Sequence, residues 1–241
     1  MLITSSEVHV WRADLDRPST EIEQFIQVLA PDERQRSERF RFEKDRKKFI
    51  VARGLLRTIL SRYLSHYLSY GEVTSPAQVV FSYGNQGKPA IANPYPAGEL
   101  CFNISHSHSM ALYAIALNHQ VGIDLEYIRP IDAIALAQRF FLLSEIDVMR
   151  SLPETDQHSA FFKFWTQKEA YLKATGDGLG RLESVEVALT EPMGLVSVDG
   201  NPQIAAQWFV QEIVVNPACP TDYAAALVIQ GTPPNLHYFS I

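Results

Sequence analysis

"QVGIDLEYI", residues 120–128, is the stretch on which the fold turns. Side chains alternate across a strand, so Val121, Ile123 and Leu125 share one face and Asp124 and Glu126 the other. The two acids then lie about 7 Å apart at Cα. Two strand-like segments precede it directly, "ELCFNIS" and "MALYAIAL". Before those come an opening strand, "SEVHVWRADL" with Val8, Val10 and Ala13 alternating against polar neighbours, and a run of helices. Ile22, Phe25, Ile26 and Leu29 follow helical spacing, Pro31 opens "PDERQRSERF", and Phe49, Ala52, Leu55, Leu56 and Ile59 mark a longer helix.

"AQVVFSY" reads as a strand and "GNQGKPAI" as a turn. Past residue 130 the pattern recurs. "DAIALAQRFF", "SEIDVMRSL" capped by Ser144, and "DQHSAFFKFWTQKEAYLKAT" are helical; "SVEVAL", "AQWFVQEIVV", "YAAALVI" and "LHYFSI" are strand-like. Helices followed by strands, twice, predict an α+β fold of two similar halves in a pseudo-twofold arrangement, 1–119 and 120–241. Each half is expected to be a small, mostly antiparallel sheet packed with helices.

The 241 residues carry 46% hydrophobic side chains and a net charge of −6, so any affinity for a polyanion must come from a local patch. Two cysteines, Cys101 and Cys219, lie far apart, which fits a reducing compartment and excludes a cysteine-built metal site. No apolar run approaches the roughly 18 residues of a membrane span, and "MLITSSEVHVWRADLD" lacks a leader pattern; a cytoplasmic protein is expected.

Four places carry chemistry. Asp124 and Glu126 either face solvent or hold a hard divalent cation between them. Glu169 and Lys173 lie on one side of a helix, where the pair is worth only about 0.2–0.5 kcal/mol as a salt bridge. The flanking Phe161, Phe162, Phe164, Trp165, Tyr171 and Leu172 nevertheless bury much of that helix, so the pair can instead line a cleft. "CFNISHSHSM" sets Asn103, Ser105, His106 and His108 at a strand end as anion donors, with His-x-His as a zinc pair or a plain polar turn as the alternatives. Lys88 sits in a glycine-bearing turn that is not a P-loop. In addition, residues 34–57 hold ten of the 21 basic residues, interspersed with Glu33, Glu38, Glu43 and Asp45: a solvated helix face, or a surface for a polyanion or acidic partner.

"VGIDLE" and, some forty residues on, "FWTQKEAYLKATGDGL" resemble the paired signature of the 4′-phosphopantetheinyl transferases, G-[IV]-D-x-E and W-x-x-K-E-[SA]-x-x-K. "GKPAI", "FNISHS" and "PDERQRSERF" stand upstream in that family's order, and the length resembles its surfactin-synthetase-activating subgroup. The resemblance implies transfer of phosphopantetheine from coenzyme A to a serine of an acyl, polyketide or peptidyl carrier protein, at a site between the halves. It implies Asp124, Glu126 and Glu169 as ligands of Mg²⁺ (Mn²⁺ also being an oxygen-ligand cation), and Glu169 and Lys173 as catalytic. Lys88, Asn103, Ser105 and His106 would contact the nucleotide and its phosphates, with Arg36, Lys48 and Arg53 as further coenzyme A contacts. Glu33 stands where some relatives carry a second lysine. Such chemistry needs charge neutralisation and positioning rather than a protein nucleophile. Two readings from other classes are a magnesium-dependent nuclease and a catalytically dead carrier-binding scaffold. A monomer that engages neither nucleic acid nor membrane is expected.

Overall fold

The computed structural model describes residues 1–67, 75–92, 98–189, 193–215 and 222–241. The chain runs β1 (Glu7–Asp14), α1 (Ser19–Val28), α2 (Pro31–Glu38), α3 (Glu43–Tyr67), β2 (Phe81–Tyr83), β3 (Pro89–Ile91), β4 (Leu100–Ser107) and β5 (Met110–Leu117). It then begins again: β6 (Val121–Tyr127), α4 (Ala133–Phe140), α5 (Leu143–Ser151), α6 (Glu154–Thr175), β7 (Val185–Ala188), β8 (Gly194–Val198), α7 (Pro202–Ala205), β9 (Trp208–Glu212) and β10 (Tyr223–Gln230). Strand order repeats as well, β1-β5-β4 in one sheet and β6-β10-β9 in the other, every one of these pairs antiparallel. The duplicated α+β unit is therefore visible in topology, where the sequence echo was faint. One strand breaks the division: β11 (Asn235–Ser240) crosses back and pairs in parallel with β1.

Both faces of β1, β5, β6 and β10 are covered. Trp11, Ala13, Tyr113 and Ile115 pack under α3 through Leu55, Leu56, Ile59 and Tyr63. Ala224, Ala226 and Val228 pack under α6. Between the sheets, Val8, Val10, Leu112 and Ala114 meet Val121, Ile123, Leu125, Leu227 and Ile229 with no helix intervening. Ala13 therefore lies on the face opposite Val8 and Val10, not on one face with them, because β1 is central and its buried residues need not alternate.

The sheets join where β4 meets β6. One edge of β6 pairs with β10; at the other, the amides of Ile123, Leu125 and Tyr127 donate to Asn103 Oδ1 (2.9 Å), Ser105 Oγ (3.2 Å) and Ser107 Oγ (3.0 Å). Alternate side chains of β4 thus replace the backbone of a neighbouring strand. A buried amide without a partner costs about 1–3 kcal/mol, so each of these polar side chains is required where it stands.

A buried ion pair holds the helices of each half. Glu33, in the first turn of α2, accepts from the Ala30 amide, Arg53 and Arg57 of α3; Arg57 also donates to the carbonyls of Pro76 and Val79. Glu145, in the first turn of α5, accepts from the Leu142 amide and from Lys168 of α6, which also donates to the carbonyls of Leu182 and Val185. Ser144 is accordingly not the helix cap: it lies one residue inside α5 and donates to Glu186. "AQVVFSY" is a strand only from Phe81, since Pro76–Gln78 form a 3₁₀ turn whose carbonyls Arg57 takes. The strand in "AQWFVQEIVV" is confined to Trp208–Glu212 behind α7, which the Asn201 side chain caps.

α6 lies directly on β6 because residue 122 is glycine: a Cβ there would overlap the Ala170 carbonyl oxygen and crowd the Ala174 amide, backbone atoms that cannot turn aside. Gly122→Ala is expected to cost about 2–3 kcal/mol in urea unfolding. Gly180→Ala, where a Cβ meets open space, should stay within about 0.5 kcal/mol.

Candidate active site

The helix-facing side of β6 carries Asp124 and Glu126, and α6 presents Glu169 and Lys173 to it. Solvent does not claim the strand acids: Asp124 is 2% exposed and Glu126 half-buried, while Glu169 is 8% exposed. The pair Glu169–Lys173 is not the ion pair that forms. Lys173 Nζ reaches across to Asp124 Oδ1 (2.6 Å) and Ser105 Oγ (2.9 Å), since β6 and β4 lie within its reach.

Three carboxylates share this small volume, and their proton affinities show it. Burial, then the neighbouring Asp124 and Glu126, push Glu169 up to about 7, with Lys173 opposing. Glu126 is raised by burial and by Asp124, while the Ser107 hydroxyl, Lys173 and Arg129 pull it back. Asp124 Oδ2 is buried with no hydrogen-bond partner, an acceptor aimed at nothing. Each acid of the strand also has a serine from β4: Ser105 Oγ donates to Asp124 Oδ1 (2.9 Å) and Ser107 Oγ to Glu126 Oε2 (3.0 Å).

Other predicted residues gather around this cluster or have structural work. His106 keeps an exposed surface, while the surrounding protein, Lys173 and Lys48 lower its pKa. His108 is in the β4–β5 turn with a left-handed backbone (φ 54°), its ring stacked on Tyr127 at 4.8 Å, so the His-x-His pair does not converge. Asn103 is buried in the seam. Lys88 Nζ donates to the Ala174 carbonyl (2.6 Å) at the end of α6, which Gly176 terminates in the left-handed region (φ 82°). Burial lowers the Lys88 pKa. A cavity of about 890 Å³ opens there, lined by Lys88, Asn85, Cys101, Gln120 and Thr175 among others.

The basic stretch divides. Arg36 is exposed with its guanidinium 5.4 Å from the Phe49 ring centre, and Lys48 Nζ ties α3 to the His108 carbonyl (2.6 Å). Arg53 is held by Glu33 (2.6 Å), the Tyr83 hydroxyl and the Phe81 ring, so Glu33 serves as an internal anion rather than a missing phosphate contact. The sequence reading assigns no role to Gly122, Glu145, Ser107 or Lys168. Lys168 is the first lysine of W-x-x-K-E and Gly122 the glycine of G-[IV]-D-x-E, so both signals were in view; Ser107 extends the alternation of Asn103 and Ser105 by one step.

Fold and site together define a two-half α+β protein with an acid cluster and a lysine at the seam. Two family profiles match, "4′-phosphopantetheinyl transferase superfamily" over residues 120–228 and "4′-phosphopantetheinyl transferase, N-terminal" over 14–118. Among curated relatives, 4′-phosphopantetheinyl transferase HetI of Nostoc is 42% identical over 96% of this chain and 91% of that one. 4′-phosphopantetheinyl transferase Sfp of Bacillus subtilis is 30% identical over 77% and 78%. A solved holo-(acyl-carrier-protein) synthase of Bacillus anthracis aligns with 47% of this chain and 96% of that one at 19% identity and a TM-score of 0.36. The chain belongs to the 4′-phosphopantetheinyl transferase family, in its surfactin-synthetase-activating subgroup, and is an enzyme of that class.

A carboxyl whose folded pKa exceeds its unfolded value of about 4.5 stabilises the fold fully below that value, and loses the contribution as pH rises through the folded pKa. In protein stripped of divalent cations, Glu169 should therefore cost a few kcal/mol between pH 4.5 and 8. Glu169→Gln should flatten this decline in unfolding curves taken across that range; an equally steep decline in the variant would exclude Glu169 as its source.

Proposed function

We propose that this enzyme's transfer of phosphopantetheine from coenzyme A to a carrier-protein serine is carried out by the carboxylates and lysine at the seam between the halves. The observation that carries this reading is the buried, unpartnered Asp124 Oδ2 beside two carboxyls whose pKa values are raised. Among the described residues no three His, Cys, Asp or Glu side chains converge as they stand on a common metal position, and Lys173 occupies one Asp124 oxygen. The donor set is nonetheless all hard oxygen, with an acceptor to spare, which suits Mg²⁺ or Mn²⁺ held by Asp124, Glu126 and Glu169. When bound, such a cation neutralises the diphosphate of coenzyme A.

The chain's own groups supply the rest. Glu169, poised near neutrality, takes the proton of the carrier serine, whose Oγ attacks the β-phosphorus while the bond to the bridging oxygen of the leaving adenosine 3′,5′-bisphosphate breaks. Lys173, released from Asp124, stabilises charge on the phosphate or the leaving group. The N-terminal half provides the coenzyme A contacts: Lys88 lies against the end of α6, His106 feels Lys173 and Lys48, Ser105 links both halves, and Arg36 and Lys48 add cations of the basic stretch. Asn103 contributes by fixing the seam and Arg53 through its cluster with Glu33 and Tyr83. Acyl, polyketide or peptidyl carriers are the acceptors. A cytoplasmic monomer is the form proposed for it; none of the described helices is long and apolar enough to cross a membrane.

The test is intact mass spectrometry of apo carrier protein incubated with coenzyme A, Mg²⁺ and enzyme. Each carrier should gain one phosphopantetheine, EDTA should abolish the gain, and Glu169→Gln should slow it by about 100-fold or more. Turnover by Glu169→Gln within threefold of wild type would remove Glu169 from the proton transfer.

A further inference from the structure

Ser107 stands outside the residues assigned to the reaction, yet its hydroxyl makes two bonds at once. It accepts from the Tyr127 amide (3.0 Å) and donates to Glu126 Oε2 (3.0 Å). A serine hydroxyl has one proton, so while that proton is given to Glu126 the oxygen is left to the amide, and both orientations are fixed. Two residues earlier Ser105 repeats the arrangement, accepting from the Leu125 amide and donating to Asp124. Glu126 needs such help more than Asp124 does. Asp124 has Lys173 at 2.6 Å as well, whereas Glu126 is a half-buried carboxylate on a longer, freer side chain with no ion pair within 4.0 Å among the described residues.

We propose that Ser107 is a positioning residue of the transferase site: from the N-terminal half it aims the Glu126 carboxylate, and so sets the affinity of the acid cluster for a divalent cation. The inference rests on the proposed cation-binding role of Asp124, Glu126 and Glu169. A hydroxyl that does nothing but satisfy the β6 edge would affect stability alone. One that aims Glu126 affects cation binding through Glu126 and through nothing else. Groups that orient metal ligands in this way typically change affinity by about 10–100-fold when removed.

The test titrates Mn²⁺ into metal-free protein and follows free Mn²⁺ by electron paramagnetic resonance, beside a Mg²⁺ titration of carrier modification. Ser107→Ala should raise the half-saturating Mn²⁺ concentration by about tenfold or more, raise the Mg²⁺ half-saturation in parallel, and leave the rate at saturating Mg²⁺ within about threefold. Ser107→Thr, which keeps the hydroxyl, should restore most of the affinity. In a Glu126→Gln background the effect of Ser107→Ala should vanish, because the group it acts through is gone. A lowered melting temperature with unchanged half-saturation, or an effect that persists undiminished beside Glu126→Gln, would assign Ser107 to the seam alone and overturn the proposal. Should Ser107→Ala not fold, Ser107→Thr and Ser107→Cys carry the comparison, and equal Mn²⁺ affinity in both would overturn it. Failure of wild-type protein to bind Mn²⁺ would overturn the cation reading itself, a result distinct from any difference among the Ser107 variants.

Discussion

The free edge of β6 is the constraint from which the site follows. An edge strand inside a protein must have its amides satisfied, and the ordinary solution is another strand's backbone. Here the partners are side chains, Asn103, Ser105 and Ser107, spaced two apart so that they leave one face of β4 together. An amide oxygen could have filled all three positions. Serine at two of them does something an amide oxygen does not: having accepted from the edge, it still has a proton to give, and the acids of β6 lie where that proton points. Joining the halves and orienting the carboxylates are therefore one piece of construction, and neither half contains the site alone.

Duplication explains the scaffold and its asymmetry. Each half sets a buried acid in the first turn of its second helix against a base on its long third helix, and each base also takes a carbonyl from the 3₁₀ turn that follows, Pro76–Gln78 for Arg57 and Leu179–Ser184 for Lys168. Removing one partner of such a pair strands a charge in the interior, at a cost of about 3–5 kcal/mol, so the helices are held in register on their sheets. On this common frame the helix-facing side of β1 carries His9, Trp11 and Ala13, a packed and chemically quiet set. The same side of β6 carries Gly122, Asp124 and Glu126. Glycine admits the helix, and the acids meet what the helix brings.

Sequence reading went furthest where periodicity and spacing were strong. The two α+β halves, the long helices and the face shared by Asp124 and Glu126 could all be read from alternation and from the 3.6-residue repeat. Short elements were lost to local chemistry: Pro76 and the carbonyl-hungry Arg57 turn an apparent strand into a 3₁₀ turn, and Asn201 with Pro202 nucleates α7 within a stretch that gave no helical period. β11 is legible as a strand in "LHYFSI", but nothing local says which sheet a terminal strand will join. At the site, residue types were visible but partners were not. Lys173 looks committed to Glu169 four residues away, and only the tertiary approach of β6 shows Asp124 to be its partner. The cluster of arginines likewise looks like a surface until Glu33 is found buried beneath it.

The charges at the seam balance in a way that suits a site entered and left by a cation. Burying three carboxylates together as anions is prohibitive, and the enzyme avoids it twice over: Lys173 neutralises Asp124, and Glu169, pushed up to about 7 by burial and by Asp124, holds a proton more readily than a free carboxyl. A proton and an ammonium thus cover what a divalent cation would cover under the proposed reading. Neither is locked in. The proton exchanges at neutral pH, and Lys173, partly exposed on the last turn of α6, holds its partner by a single side chain. Under that reading the two groups that would give way to a cation are the ones the transfer would then use, a base with its proton gone and a free cationic side chain, so cation binding and readiness for the reaction would coincide.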